Sequence, residues 1–227
     1  MSTRLTSLSD VPPDDVQGTL EPTLTFDNIS CSKGGRPLFR GIHCSLRSGH
    51  WLHVAGANGT GKTSLLRMLC GLAPIESGDI LWNGHPISAQ RTAFQQDLCY
   101  QGHLNGLQES MTVLENLAFA SALRGHTATA AQMSETLARF GVTGRGHQLV
   151  RHLSQGQKRR VALSRLALTP ARLWVLDEPF VAMDDAGIHM LADLIAHHLD
   201  QGGLALLTSH QAVDIGSAPM QTLELRA

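Results

Sequence analysis

Residues 51–63 read WLHVAGANGTGKT, a short apolar run that enters glycine, and Ser64 then opens a stretch with Leu65, Leu66 and Leu69 at helical spacing. The central string Gly56-Ala57-Asn58-Gly59-Thr60-Gly61-Lys62-Thr63 fits GxxxxGK[ST], and a strand before it with a helix after it is the context in which that pattern binds phosphate. Glycines at 56, 59 and 61 let backbone N–H groups converge on anionic oxygens without a Cβ in the way, and the helix N-terminus adds its dipole. Lys62 supplies a point charge to the β- and γ-phosphates of a nucleotide, Thr63 supplies a hydroxyl that can ligate Mg²⁺, and the expected nucleotide-binding residues run from Gly56 to Ser64. The chain has only three lysines, so Lys62 is no part of a general basic surface.

From residue 24 onward short β-like runs alternate with longer helical ones, the rhythm of an α/β protein. Residues 24–29 and 42–46 read as strands of a small antiparallel lobe, 51–55 as the strand feeding the glycine loop, 63–70 as a helix and 78–84 as a strand bounded by turn residues. Residues 102–110 are loop-like, and Thr112-Val-Leu-Glu115 is a capping box that opens a helix through 123. A second helix at 130–140 ends at Gly141. After it come a helix at 157–168 that stops before Pro170, a wholly apolar strand at 173–176, a helix at 184–199 and a second apolar strand at 204–208. The fold class is therefore a P-loop α/β domain over 23–227, with an antiparallel β lobe, a parallel-sheet core and a helical segment at about 110–150 inserted into it. Residues 1–22, rich in Ser, Thr, Pro and Asp, read as a loose tail without the apolar core of a targeting signal. No apolar run reaches the roughly 18 residues that cross a bilayer.

Lysine plus arginine (18) nearly balance aspartate plus glutamate (19), so no overall field favours nucleic acid, and none is expected as a partner. Cys31, Cys44, Cys70 and Cys99 stand without CxxC or metal-ligand spacing, the usage of a reducing compartment, and read as buried or neutral thiols.

The apolar strand Leu173-Trp-Val-Leu ends in Asp177-Glu178-Pro179, which places Asp177 at the carboxyl edge of the sheet beside the glycine loop. Asp177 is expected to hold Mg²⁺ directly or through water, and Glu178 to polarise the water that attacks a γ-phosphate.

Leu153-Ser154-Gln155-Gly156-Gln157 resembles the LSGGQ signature of the ATP-binding cassette (ABC) ATPases. The order of phosphate loop, helical insert, signature, Asp-Glu and a strand running to His210 is similar to that family's over residues 24 to about 215. The resemblance implies ATP and Mg²⁺ as ligands and a head-to-tail homodimer, in which Ser154 and Gly156 of one copy close over ATP held by Gly56 to Thr63 of the other. A serine and a glycine N–H at a helix start do form a second anion-binding nest. The resemblance also makes His210 the histidine that contacts the γ-phosphate and orients Glu178. Asp184, in Val181-Ala-Met-Asp184, falls in the family's D-loop, and it is equally the N-cap of the next helix.

Two departures stand out. Where the family carries a glutamine that senses Mg²⁺ and the membrane partner, this chain reads Tyr100-Gln101-Gly102-His103-Leu104-Asn105; His103 falls at that position, Gln101 lies two residues before it, and either can serve. The aromatic residue that stacks on adenine is missing from residues 30–37, which offer Cys31, Lys33 and Arg36. A single cassette with Gly102-His103, Asp177-Glu178-Pro179-Phe180 and Ser209-His210-Gln211 most resembles the ATP-binding subunits of bacterial cytochrome c maturation, the haem-exporter type. That implies integral membrane permease subunits as partners and a peripheral place at the cytoplasmic face of the bacterial inner membrane. Hydrolysis would drive export of haem or its release from a chaperone. Subunits exporting another cargo and non-transport cassettes are the alternatives, although the DNA type needs a coiled-coil insert and the ribosome type two cassettes. His147, His152, His197 and His198 read as solvated residues of loops and helix ends, and Arg159 and Arg160 as a solvated helix face.

Overall fold

The computed structural model describes residues 21–210 and 213–226. The expected tail therefore lies outside the described residues except for Glu21 and Pro22, as does Gln211. The chain opens with an antiparallel hairpin of β1 (Thr23–Lys33) and β2 (Arg36–Arg47). The strand β3 (Trp51–Ala55) then runs into the glycine loop and α1 (Lys62–Leu69). β4 (Ser77–Trp82) and β5 (His85–Pro86) return to the hairpin and complete a four-stranded sheet in the order β2-β1-β4-β5. Its inner face carries Leu24, Phe26, Ile42, Leu46 and Ile80, which pack with Leu65, Leu66 and Leu69 of α1 in one core. At Gly78 the backbone is left-handed (φ +79°), and a Cβ there would sit 2.3 Å from the Asp27 carbonyl oxygen. β4 can approach β1 at this irregular point of the ladder because residue 78 has no side chain.

α2 (Arg91–Asp97) and β6 (Leu98–Gln101) follow, then the inserted helices α3 (Val113–Ala122) and α4 (Ala130–Arg139) and a 3-10 turn at Val150–His152. The capping box expected at Thr112 is complete: its hydroxyl accepts from the Glu115 N–H at 3.2 Å and the Glu115 carboxylate accepts from the Thr112 N–H at 2.7 Å. Thr129 and Gln132 build the same device for α4, and Ser154 and Gln157 build it for α5 (Gln155–Leu168), which starts two residues earlier than its apolar spacing suggests. β7 (Leu173–Leu176), α6 (Asp185–Asp200), β8 (Leu204–Thr208) and β9 (Met220–Glu224) complete the described elements.

The second sheet is wholly parallel, in the order β6-β7-β8-β3-β9. Every residue of β7 and β8 is buried, as the two uninterrupted apolar runs require of central strands covered on both faces. Side chains alternate across the sheet. Leu52, Val54, Val175 and Leu206 face the core shared with the antiparallel lobe, whereas Trp51, Trp174, Leu176 and Leu207 face a second core built with α3 to α6. His198 departs from the solvated reading of its sequence context. Its ring stacks on Trp174 with centroids 3.9 Å apart, Nε2 donates to the Leu204 carbonyl at 3.2 Å, and burial pushes its pKa down to about 4. His147, His152 and His197 are exposed, as expected.

Candidate nucleotide site

Because β7, β8 and β3 are parallel neighbours, the segments that follow them emerge together at one sheet edge: Asp177-Glu178, Ser209-His210 and the glycine loop. The loop closes on α1 at Gly61, whose φ of +101° and position require glycine. A Cβ there would stand 2.8 Å and 2.9 Å from the Phe39 ring and 3.1 Å from Leu38. No side chain caps α1, so its first N–H groups are left for an anion. Lys62 is buried, and its ammonium donates to the carbonyls of Gly56 at 2.7 Å and Ala57 at 3.3 Å, while the Thr60 hydroxyl donates to Ala57 at 2.9 Å. A cavity of about 270 Å³ opens here, lined by Lys33, Leu38, Asn58, Lys62, Thr63, Ser64 and Glu178 among others.

Asp177 is only 3% exposed and is fully engaged. Its Oδ2 accepts from the Thr63 hydroxyl at 3.1 Å and its Oδ1 from the Thr208 hydroxyl at 2.8 Å. Its own N–H donates to the Gln101 carbonyl at 2.8 Å. Thr208 also accepts from the Glu178 N–H at 2.8 Å, so one hydroxyl ties both acidic residues to the end of β8. Glu178 has φ +48°, a left-handed conformation that a non-glycine residue holds only when its surroundings over-determine it. Its Oε1 lies 3.2 Å from His210 Nε2. Thr208 carried no weight in the sequence; the only hint was a hydroxyl closing an otherwise apolar run.

The hydroxyl of Thr63 and the carboxylate of Asp177 form a hard oxygen pair that fits Mg²⁺, which takes one or two protein oxygens and completes its shell with phosphate and water. Among the described residues no group of three or more His, Cys, Asp or Glu side chains could hold a metal unaided.

Of the two candidates, Gln101 is the last residue of β6 and is buried, its amide donating to the carbonyls of Gly102 and Leu104 in the loop that follows and its Oε1 accepting from Arg165 at 2.8 Å. His103 is exposed, and beside it Leu104 is 82% exposed. The signature residues Leu153, Ser154, Gln155, Gly156 and Gln157 do not line the cavity; Ser154 caps α5, with Gln157 as its reciprocal partner. Asp184 caps α6 through the Gly187 N–H at 3.2 Å and pairs with Arg160, whose hydrogen bond holds the Asp184 carboxyl below its usual range. Arg160 also donates to the Phe140 carbonyl at 3.1 Å.

Arg159 contradicts the solvated-face reading outright. It is 5% exposed, and its guanidinium donates to the carbonyls of Glu178 at 2.8 Å, Pro179 and Gly102 at 3.3 Å and Asp177 at 3.5 Å, and to the Asn105 side chain at 3.4 Å. Burial disfavours its charge, and the nearby Asp177 carboxylate opposes that loss.

A glycine loop after β3, two acidic residues at the end of β7, with β8 between those two strands, and a helical lobe inserted in the chain between them define an ATP-binding cassette. The ABC transporter family model matches residues 39–181, and the chain belongs to that family and binds ATP. It is 73% identical over 206 residues to the cytochrome c biogenesis ATP-binding export protein CcmA of Albidiferax ferrireducens, covering 91% of this chain and 98% of that one. It is 46% identical to the protein of the same name from Dechloromonas aromatica (89% and 99% covered) and 42% identical to that of Escherichia coli (87% and 93%). The fold matches a putative ABC transporter ATP-binding protein from Pyrococcus furiosus with a TM-score of 0.78 at 24% identity, covering 89% of this chain and 97% of that one.

Proposed function

We propose that the chain is the ATP-hydrolysing subunit of a bacterial inner-membrane ABC complex for cytochrome c biogenesis, where turnover drives haem export or haem release from its chaperone. The observation that carries the reading is the Glu178–His210 pair, 3.2 Å apart at the mouth of the phosphate loop, in a chain 73% identical to a cytochrome c biogenesis ATP-binding export protein. The loop N–H groups and the Lys62 ammonium take the β- and γ-phosphates of ATP. Thr63 and Asp177 would hold Mg²⁺, which when bound neutralises charge developing on the phosphates. Glu178 accepts the proton of the attacking water, and His210 orients its carboxylate. Gln101 or His103 reports on the membrane partner. Two copies act head to tail, Ser154 and Gly156 of one closing over the nucleotide of the other, with Asp184 joining the two half-sites.

No helix among the described residues is long and apolar enough to cross a membrane. In this reading permease subunits hold the chain at the cytoplasmic face. The test is to tag Glu178→Gln, extract native membranes in mild detergent with ATP and Mg²⁺, and identify what co-purifies. The expected result is small integral membrane subunits with a haem-binding partner, and nucleotide held without turnover. Recovery of a permease for another cargo refutes the haem role, and wild-type hydrolysis by the variant refutes the role of Glu178. Ser154→Arg is expected to stop hydrolysis while each copy still binds nucleotide.

A further inference from the structure

Among the described residues Arg159 is a buried cation with no carboxylate in direct contact; its donors are spent on main-chain carbonyls and one amide drawn from two distant segments. One group is the turn Asp177-Glu178-Pro179, reached across about twenty residues of sequence. The other is the loop after β6, through Gly102 and Asn105. Burying a guanidinium among neutral acceptors is costly unless the geometry it enforces is needed. Its shortest bond, 2.8 Å, is to the carbonyl of Glu178, the residue whose backbone is left-handed. The Glu178 peptides are thus held on both sides, by Thr208 at the N–H and by Arg159 at the carbonyl, and the side chain leaves this clamp toward His210.

We infer that Arg159 is a positioning residue for hydrolysis: it fixes the backbone of Glu178 and locks it to the 102–105 loop, so that displacement of that loop moves the carboxylate. The inference rests on the reading of Glu178 as the base and adds a specific mechanical link to it. Arg159 sits on α5, five residues beyond the Ser154 cap, so the same guanidinium joins the signature helix, the loop bearing exposed His103 and Leu104, and the acidic turn. Lysine cannot replace it, because a single ammonium lacks the planar fork that reaches both segments.

The test compares Arg159→Ala, Arg159→Lys and Asn105→Ala in the full-length chain or its purified complex. Turnover is defined as the Mg²⁺-dependent ATPase activity that Glu178→Gln removes. Arg159→Ala is expected to lower kcat by about tenfold to a hundredfold, as small misplacement of a reacting group does, with KM and nucleotide affinity within about twofold of wild type. Arg159→Lys should recover little. Millimolar guanidinium should restore part of the Arg159→Ala rate, a response opposite to what a generally destabilised protein gives. Asn105→Ala, which cuts one strand of the link and leaves the Glu178 contact, should lose less turnover than Arg159→Ala. The inference is overturned if Arg159→Ala turns over at the wild-type rate, or if kcat, affinity and melting temperature fall together without guanidinium rescue. If Glu178→Gln itself hydrolyses normally, it is the reading of the base that fails.

Discussion

Thr208 offers a sharp test of how the acidic turn is built, because a single hydroxyl serves two partners at a fully buried position. Thr208→Val keeps the volume and the branched shape that suits β8, so it leaves no cavity and isolates the hydroxyl. The substitution removes a 2.8 Å bond to the Asp177 carboxylate and orphans the Glu178 N–H, which donates to the same oxygen at 2.8 Å. A hydrogen bond to a charged group contributes about 1.5–3 kcal/mol and an unsatisfied buried N–H costs about 1–3 kcal/mol. The two losses share one atom, so about 3 kcal/mol is expected rather than the full sum. For a domain of this size that is a fall in melting temperature of about 6–12 °C. Thr208→Ser retains the hydroxyl and loses one buried methyl, at about 1 kcal/mol and about 2–4 °C. Thermal melting of the three proteins followed by circular dichroism provides the comparison. A valine variant melting with wild type, or a serine variant melting below the valine one, would refute the argument that the hydroxyl holds the turn.

Gly78→Ala should cost at least about 4 kcal/mol, since its Cβ would meet the backbone of Asp27 and Asn28 at 2.3–2.5 Å in a left-handed conformation; a wild-type melting curve would contradict this. Burial lowers His198 from 6.5 to about 4, so between those values the unfolded chain binds a proton that the folded chain does not, and stability falls as pH falls. Urea unfolding at pH 7 and pH 5 should show this as about 2 kcal/mol of pH-dependent loss in wild type that is absent from His198→Phe. Burial raises the thiols of Cys44, Cys70 and Cys99, but Cys44 alone of the three is half-buried, so a thiol reagent at mildly alkaline pH should modify it first and reach the other two only on unfolding; rapid native labelling of Cys99 would count against the structure.

What the sequence made legible are features whose cause is local. Glycine spacing, the two apolar runs and the Thr112-Glu115 box each act within a few residues, and the strands, loop and helix they announce are present. The β9 strand was not legible: at the sheet edge, with burial alternating between partial and exposed, MQTLE carries too little apolar content to mark itself. α2 and β6 were missed for a related reason. Seven helical residues with one buried side chain, Phe94, give no period to read. Within the site, Lys62, Thr63, Asp177 and Glu178 were identifiable because each sits in a contiguous motif, whereas Thr208 and Arg159 act on groups 30 and 57 residues away. Adjacent arginines on a helix ordinarily face water, and only the arrival of foreign carbonyls makes one of them a buried fastener.

The parallel sheet is a partition as well as a platform. Its alternating side chains separate two apolar cores that share little besides β3, β6, β7 and β8, and the nucleotide loop sits along the rim of that wall. Each core can therefore loosen by itself, and hydrogen exchange should resolve the chain into two cooperative units with the amides of β7 and β8 as the slowest in both. ATP bound at the proposed site would act as a rivet between compartments: binding at one edge raises the cost of opening either side, so the empty and loaded cassettes are expected to differ in how their halves come apart.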